Sequence, residues 1–195
     1  MQQLPNMWWS SVYGSPPHAL HPIPVVLILF LFSLTGCQVG YILQSATGQI
    51  KILHRKVPIE TALKNPNLSE KNKAKLRLAQ EAKAFALQKI GLTKNDNYSE
   101  FAQLDEPYVV YAVNAAETWE LKNHIWDYPI VGKMPYKGFF AKQDALDEEV
   151  ELKKNGLDTY VRGVSAYSTL GWFDDPVLSS MLNYKDYDLV NTIIH

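Results

Sequence analysis

The stretch Pro107-Tyr108-Val109-Val110-Tyr111-Ala112-Val113-Asn114 decides the fold class. Its β-branched and aromatic residues predict a strand. A long helical segment lies before it. Ser69 is a good N-cap, Glu70 to Ile90 is built from strong helix formers, and Gly91 supplies a left-handed stop. Ala74, Leu78, Ala82 and Phe85 mark the expected core stripe of that helix. After the strand, Ile125 to Gly132 reads as a second strand, with Pro129 suggesting an edge or a bend. Pro135-Tyr136-Lys137-Gly138 reads as a turn. Ala141 to Lys154 reads as a charged amphipathic helix with Ala145, Leu146, Val150 and Leu152 inward, stopped by Asn155-Gly156, and Asp158 to Val164 as a third strand. Together these elements predict an α+β arrangement: a small antiparallel or mixed sheet with flanking helices.

Charge divides the chain. The first fifty residues contain no Lys, Arg, Asp or Glu, and Lys51 is the first charged side chain. The net charge of −1 offers no footprint for nucleic acid. Lys71, Lys73, Lys75, Arg77 and Lys83 make the first half of the long helix basic. That pattern reads as an ordinary solvated face in preference to a lipid contact. Val57 to Lys64 reads as a short helix with Pro58 near its first turn.

Ile23 to Leu34 is an apolar run of about 12 residues. A membrane span needs roughly 20, and the hydrophobic region of a signal peptide roughly 7–15. Pro22 and Pro24 oppose helical extension on the N-terminal side. Leu34-Thr35-Gly36-Cys37 follows directly and resembles the bacterial lipobox. The resemblance implies that residues 1–36 are a lipoprotein signal peptide and that Cys37 is acylated and anchored in a lipid bilayer. Gln38 after the cysteine implies the outer membrane of a bacterial cell envelope, facing the periplasm. Residues 37–56 then read as a tether carrying apolar residues able to dock. Cys37 is the sole cysteine, so an intrachain disulfide is excluded.

At the other end, Leu189, Val190, Ile193 and Ile194 share one helical stripe led by Asp186 and Asp188. No glycine, proline or basic last turn closes that helix before His195. It reads as a helix cut short, whose isoleucines lack partners.

Ala166-Tyr167-Ser168-Thr169-Leu170-Gly171-Trp172-Phe173-Asp174-Asp175-Pro176-Val177-Leu178-Ser179 resembles a segment of bacterial lipoproteins described as putative aminopeptidases. Ser45 to Gln49 with Pro58-Ile59, Pro107 to Val110, and Pro129 to Gly132 with Pro135 to Phe140 are similar to the same family in the same order. The resemblance covers nearly all of residues 37–195 and implies that 57–195 is the N-terminal portion of a zincin-like metallopeptidase domain, incomplete at its C-terminus. In that family the next element is a helix bearing H-E-x-x-H, whose two histidines bind zinc and whose glutamate is the general base. By this resemblance His195 is the first zinc ligand, and the peptide substrate is met by Ser168, Thr169, Leu170, Gly171 and Trp172. A second reading places Trp172, Phe173 and Leu178 in the core, with Asp174-Asp175-Pro176 starting a helix. Zinc belongs to the full-length pattern. A single imidazole does not hold it tightly, and the general base would follow His195. The alternative reading is a noncatalytic truncated lipoprotein, or one that acts by binding. Ser165, Ser168 and His124 lack a nucleophile elbow, no phosphate-binding glycine loop is present, and His54 and His124 read as surface or structural residues.

Overall fold

The computed structural model of the chain describes residues 36–120, 122–128 and 131–195, with side chains from residue 40 onward. The signal-peptide reading of 1–36 and the side chain of Cys37 lie outside the described residues. The chain divides into two units, Met1–Val39 and Gly40–His195. The second unit is described below.

The architecture is α+β. In chain order the elements are α1 (Gly36–His54), β1 (Lys56–Pro58), α2 (Ile59–Leu63), α3 (Glu70–Phe85), β2 (Glu100–Ala102), β3 (Val110–Glu117), β4 (Trp126–Tyr128), β5 (Gly132–Met134), β6 (Lys137–Phe139), α4 (Lys142–Lys154), β7 (Leu157–Val164), β8 (Val177–Leu178), and α5 (Asp186–Ile194). An antiparallel sheet has the order β6-β3-β7, and a mixed sheet has the order β1-β2-β8 with β2 and β8 parallel. A separate hairpin joins β4 and β5.

Two apolar cores result. Tyr111, Val113 and Ala115 alternate along β3 and meet Ala145 and Leu152 of α4, with Phe139 closing the layer. The second core gathers Ile59, Leu76, Ala79, Val177, Met181, Leu182, Leu189 and Ile193, and so joins the mixed sheet to α3 and α5.

Several elements depart from the sequence reading. Residues 37–56 do not form an extended tether, because α1 occupies most of them. Two interior glycines each cost a helix about 1 kcal/mol relative to alanine, which is why the segment reads poorly as a helix. Tertiary contacts offset that cost. Tyr41, Gln44, Gly48 and Ile52 lie on one face. The Tyr41 hydroxyl donates to the Gly138 carbonyl at 2.9 Å, and Gln44 Nε2 donates to Asp144 Oδ2 at 3.0 Å. Gly48 lies flat against the Phe140 ring, where a Cβ would come within 2.2 Å of ring carbons. Ile52 enters the second core. Among the described residues no helix is long and apolar enough to cross a membrane.

In α3 the buried residues are Leu76, Ala79 and Ala82, with Ala86 beyond them. The stripe is rotated from the expected Ala74, Leu78, Ala82, Phe85. Ala74 and Phe85 are exposed. Small side chains on the buried face let neighbouring elements approach α3 closely, and size does not show in a hydrophobic pattern. Past Phe85 the helix widens into a π-turn over Ala86–Ile90, and Gly91 ends it in the left-handed conformation at φ 80°. Two lysines of α3, Lys75 and Lys83, are structural ties, whereas Lys71 is exposed and Lys73 pairs with Glu70 in its own turn. Lys75 Nζ donates to the Tyr184 carbonyl and, at 2.6 Å, to Asp186. Lys83 Nζ donates to the Asn97 carbonyl at 2.5 Å and to Ser99 Oγ at 2.7 Å.

The expected strand over 125–132 is instead the hairpin β4–β5, turned near Gly132 at φ 75°. Residues 129 and 130, Pro129 among them, lie outside the described residues. The expected turn at Pro135–Gly138 is cut short: the chain bends at Pro135, and β6 begins at Lys137 because Lys137–Phe139 pairs with Tyr111–Val113. In α4, Ala145 and Leu152 are buried as expected, whereas Val150 is exposed.

Candidate functional site

The site is built on the connection between β7 and β8. Thr169 is its hub. The Thr169 backbone N–H donates to both carboxylate oxygens of Asp175, at 3.2 and 3.1 Å, and Thr169 Oγ1 donates to Asp175 Oδ1 at 2.7 Å. The same hydroxyl oxygen accepts the Phe173 N–H at 3.2 Å. Asp175 is 7% exposed, and a buried carboxylate demands such partners. Its own backbone N–H donates to Asn97 Oδ1 at 2.9 Å, and its carbonyl accepts the Tyr98 N–H at 2.6 Å. One aspartate thus folds the 169–175 loop on itself and clamps it to the 97–98 segment.

Within the clamp, Leu170 and Gly171 both take left-handed backbone conformations, at φ 56° and 82°. For leucine that conformation costs on the order of 1–2 kcal/mol, and the Asp175 hydrogen bonds hold it. Leu170 and Trp172 project outward, 71% and 68% exposed, and Phe173 is 45% exposed. Trp172 and Phe173 are therefore not core residues. Leu178 is buried. Asp174 and Asp175 start no helix; the segment passes into β8.

On the inner side of the loop lies an open cleft of about 600 Å³, whose walls include Lys83, Tyr98, Tyr167, Ser168, Asp175 and His195. Burial pushes the Tyr98 and Tyr167 hydroxyls toward higher pKa, and the Asp175 carboxylate adds to both shifts. Burial pulls the Lys83 ammonium downward, against the opposing attraction of Asp96 and Asp174. Tyr167 is held from outside the cleft. Its hydroxyl donates to Gln49 Oε1 of α1, and its ring meets Phe140 edge-on with centroids 5.9 Å apart.

His195 arrives on α5. Lys185, in the extended conformation, starts that helix, and Asp186 and Asp188 sit in its first turn. Leu189 is fully buried and Ile193 is 7% exposed. Both isoleucines were expected to lack partners; Ile193 has them in the second core, because α5 packs along α3. The His195 N–H donates to the Asn191 carbonyl at 2.9 Å, so the helical ladder reaches the histidine.

Of the residues predicted from sequence, the structure brings Ser168 and His195 to the walls of one cleft. Thr169 braces the loop, while Leu170, Gly171 and Trp172 are not among the cleft-lining residues. Among the described residues no group of three His, Cys, Asp or Glu side chains converges in a way that could hold a metal ion. His195 offers one imidazole, so the residues present do not by themselves fit a catalytic zinc, which takes about three protein ligands. Sequence reasoning missed Asp175 as a clamp and Tyr98, Tyr167 and Lys83 as cleft walls. A threonine six residues before an aspartate was the only signal for the clamp, and nothing in the sequence places α3 beside that loop.

No curated protein and no solved structure shows significant similarity to the chain. A family model described as putative aminopeptidase matches residues 40–195, that is, the whole of the described unit, and the chain belongs to that family.

Proposed function

We propose that this chain is the scaffold portion of a zinc-dependent aminopeptidase held at the bacterial envelope by acylated Cys37. The family match over residues 40–195 carries the peptidase reading. A location at the cleft is supported by one observation, that His195 of α5 and Ser168 of the loop both line it. In this reading His195 is the first histidine of an H-E-x-x-H helix, and the general base and remaining ligands come from residues that follow it. The zinc would supply Lewis-acid and water-activating chemistry. Residues 40–195 contribute a braced loop wall and an open cleft walled in part by Tyr98 and Tyr167. Acylation of Cys37 and an outer-membrane site facing the periplasm complete the proposal on the strength of the lipobox.

The test begins with the DNA beyond codon 195. A continuation encoding Glu-x-x-His, in any frame, supports the reading. The corresponding longer product is then expected to bind zinc stoichiometrically and to release the N-terminal residue from short peptides. An in-frame stop with no such continuation, together with a chain that binds peptides without cleaving them, overturns the enzyme reading and leaves a noncatalytic binding lipoprotein. Fatty-acid labelling that survives Cys37→Ser overturns the anchor.

A further inference from the structure

We infer that the outward face of α1 lies in the headgroup region of a lipid bilayer, so that the helix joins the folded body to the membrane along its length. The inference extends the membrane part of the proposed function and does not depend on catalysis.

The helix is apolar on two sides. Tyr41, Gln44, Gly48 and Ile52 recur at i, i+3, i+7 and i+11 and are docked against Gly138, Asp144, Phe140 and the second core. Ile42, Ala46, Ile50 and Leu53 recur at i, i+4, i+8 and i+11 on the roughly opposite side, with Leu43 beside them. Ile42, Leu43 and Ile50 are 49%, 63% and 51% exposed. A helix docked on one side ordinarily turns polar residues to solvent on the other. Here branched aliphatic side chains stand where those residues belong.

Two observations select lipid as the occupant. The first is continuity of sequence: Cys37, whose acyl chains hold the protein at the bilayer under the proposed function, lies in the first turn of α1, and Ile42 sits about 7.5 Å along the axis from it. An acylated Cys37 brings the first turns of α1 to the membrane surface. The second is charge. No Asp or Glu precedes Glu60, whereas Lys51, Arg55 and Lys56 do. Arg55 and Lys56 pair with Asp105 and Glu100, and Lys51 is exposed beside the docked face, in a groove it shares with Gln44, Gly48 and Arg55. The helix therefore brings no acidic side chain of its own toward an anionic surface.

The experiment uses residues 37–195, the chain that remains once the signal peptide is removed, with Cys37→Ser, which removes the acyl anchor and the sole native thiol. A polarity-sensitive fluorophore is attached in turn through Leu43→Cys, Ile50→Cys and, as a control on an exposed β7 position, Tyr160→Cys. Vesicles of phosphatidylethanolamine and phosphatidylglycerol carry a lipid-bound quencher. The expected result is a blue shift on vesicle addition at 43 and 50, with quenching several-fold stronger there than at 160. Ile42→Asn combined with Ile50→Asn is expected to abolish the shift at 43 while leaving the unfolding midpoint unchanged. Fluorophores at 43 and 50 that stay as wet as the one at 160 overturn the inference. So does a shift that appears without vesicles and grows with protein concentration, since a second copy then covers the face. If acylated wild-type chain binds vesicles while position 43 stays in water, the anchor stands and this inference falls.

Discussion

Gly40 and Gly48 share one helix and are predicted to respond to alanine with opposite signs. In an exposed helix interior, Gly→Ala stabilises by about 1 kcal/mol, through reduced freedom of the unfolded chain and better helix propensity. Gly40 has nothing within 4 Å of an added Cβ, so Gly40→Ala should show most of that gain. At Gly48 the added Cβ comes within 2.2 Å of two Phe140 ring atoms. The ring has to swing away, and overpacking of this kind costs roughly 1–3 kcal/mol. The swing also disturbs the edge contact between Phe140 and Tyr167, at 5.9 Å and 83°, a type of pair worth about 0.5–1.5 kcal/mol. Set against the propensity gain, the sum predicts a net loss of about 1–3 kcal/mol for Gly48→Ala. Equilibrium urea unfolding of the full chain, followed by circular dichroism, measures both variants. Phe140→Leu in the Gly48→Ala background should recover part of the loss. If Gly48→Ala stabilises as Gly40→Ala does, α1 is not docked on Phe140 and the account of this helix fails.

Three further outcomes follow from the same geometry. Thr169→Val removes a charge-assisted hydrogen bond to a buried carboxylate and should cost about 1.5–3 kcal/mol in urea unfolding; it should also raise amide exchange at Leu170 and Phe173, and unchanged exchange there would refute the clamp. Ile193→Ala should cost about 2–5 kcal/mol, as expected for a core residue, whereas a cost near zero would restore the view of a frayed last turn. The hydroxyls of Tyr98, Tyr128 and Tyr167 are all raised above the ordinary value near 10, burial being the leading cause in each. Above that value the unfolded chain releases tyrosine protons that the native chain keeps, so stability is full below pH 10 and falls as pH rises beyond it. Absorbance at 295 nm, followed with the unfolding signal, should show these tyrosines ionising together with alkaline unfolding, and early independent ionisation would contradict their burial.

The α+β class, the Ser69 start of α3, the Gly91 stop beyond its π-turn, the strands β3 and β7 and the helix α4 were legible in the sequence. Each of these depends on local signals: β-branched runs, the Ser69 cap, the left-handed Gly91, and a charged amphipathic repeat closed by Asn155-Gly156. By family resemblance the sequence also pointed to His195 and to Ser168, Thr169, Leu170, Gly171 and Trp172, of which only Ser168 and His195 line one cleft. Tertiary structure decided the rest. Gly48 reads locally as a helix breaker and becomes the close-approach point that lets α1 lie on Phe140. Lys75 and Lys83 read as solvated charges and become ties to Asp186, Asn97 and Ser99, because α3 is packed beside segments distant in sequence. Asp175 reads as part of a helix start and becomes a buried clamp, since only the folded chain brings Thr169, Asn97 and Tyr98 around it. The physical reason is the same in each case. Propensity and periodicity record what a residue prefers within a few positions of itself, whereas burial, close approach and the partners of a charge are properties of segments that meet only on folding.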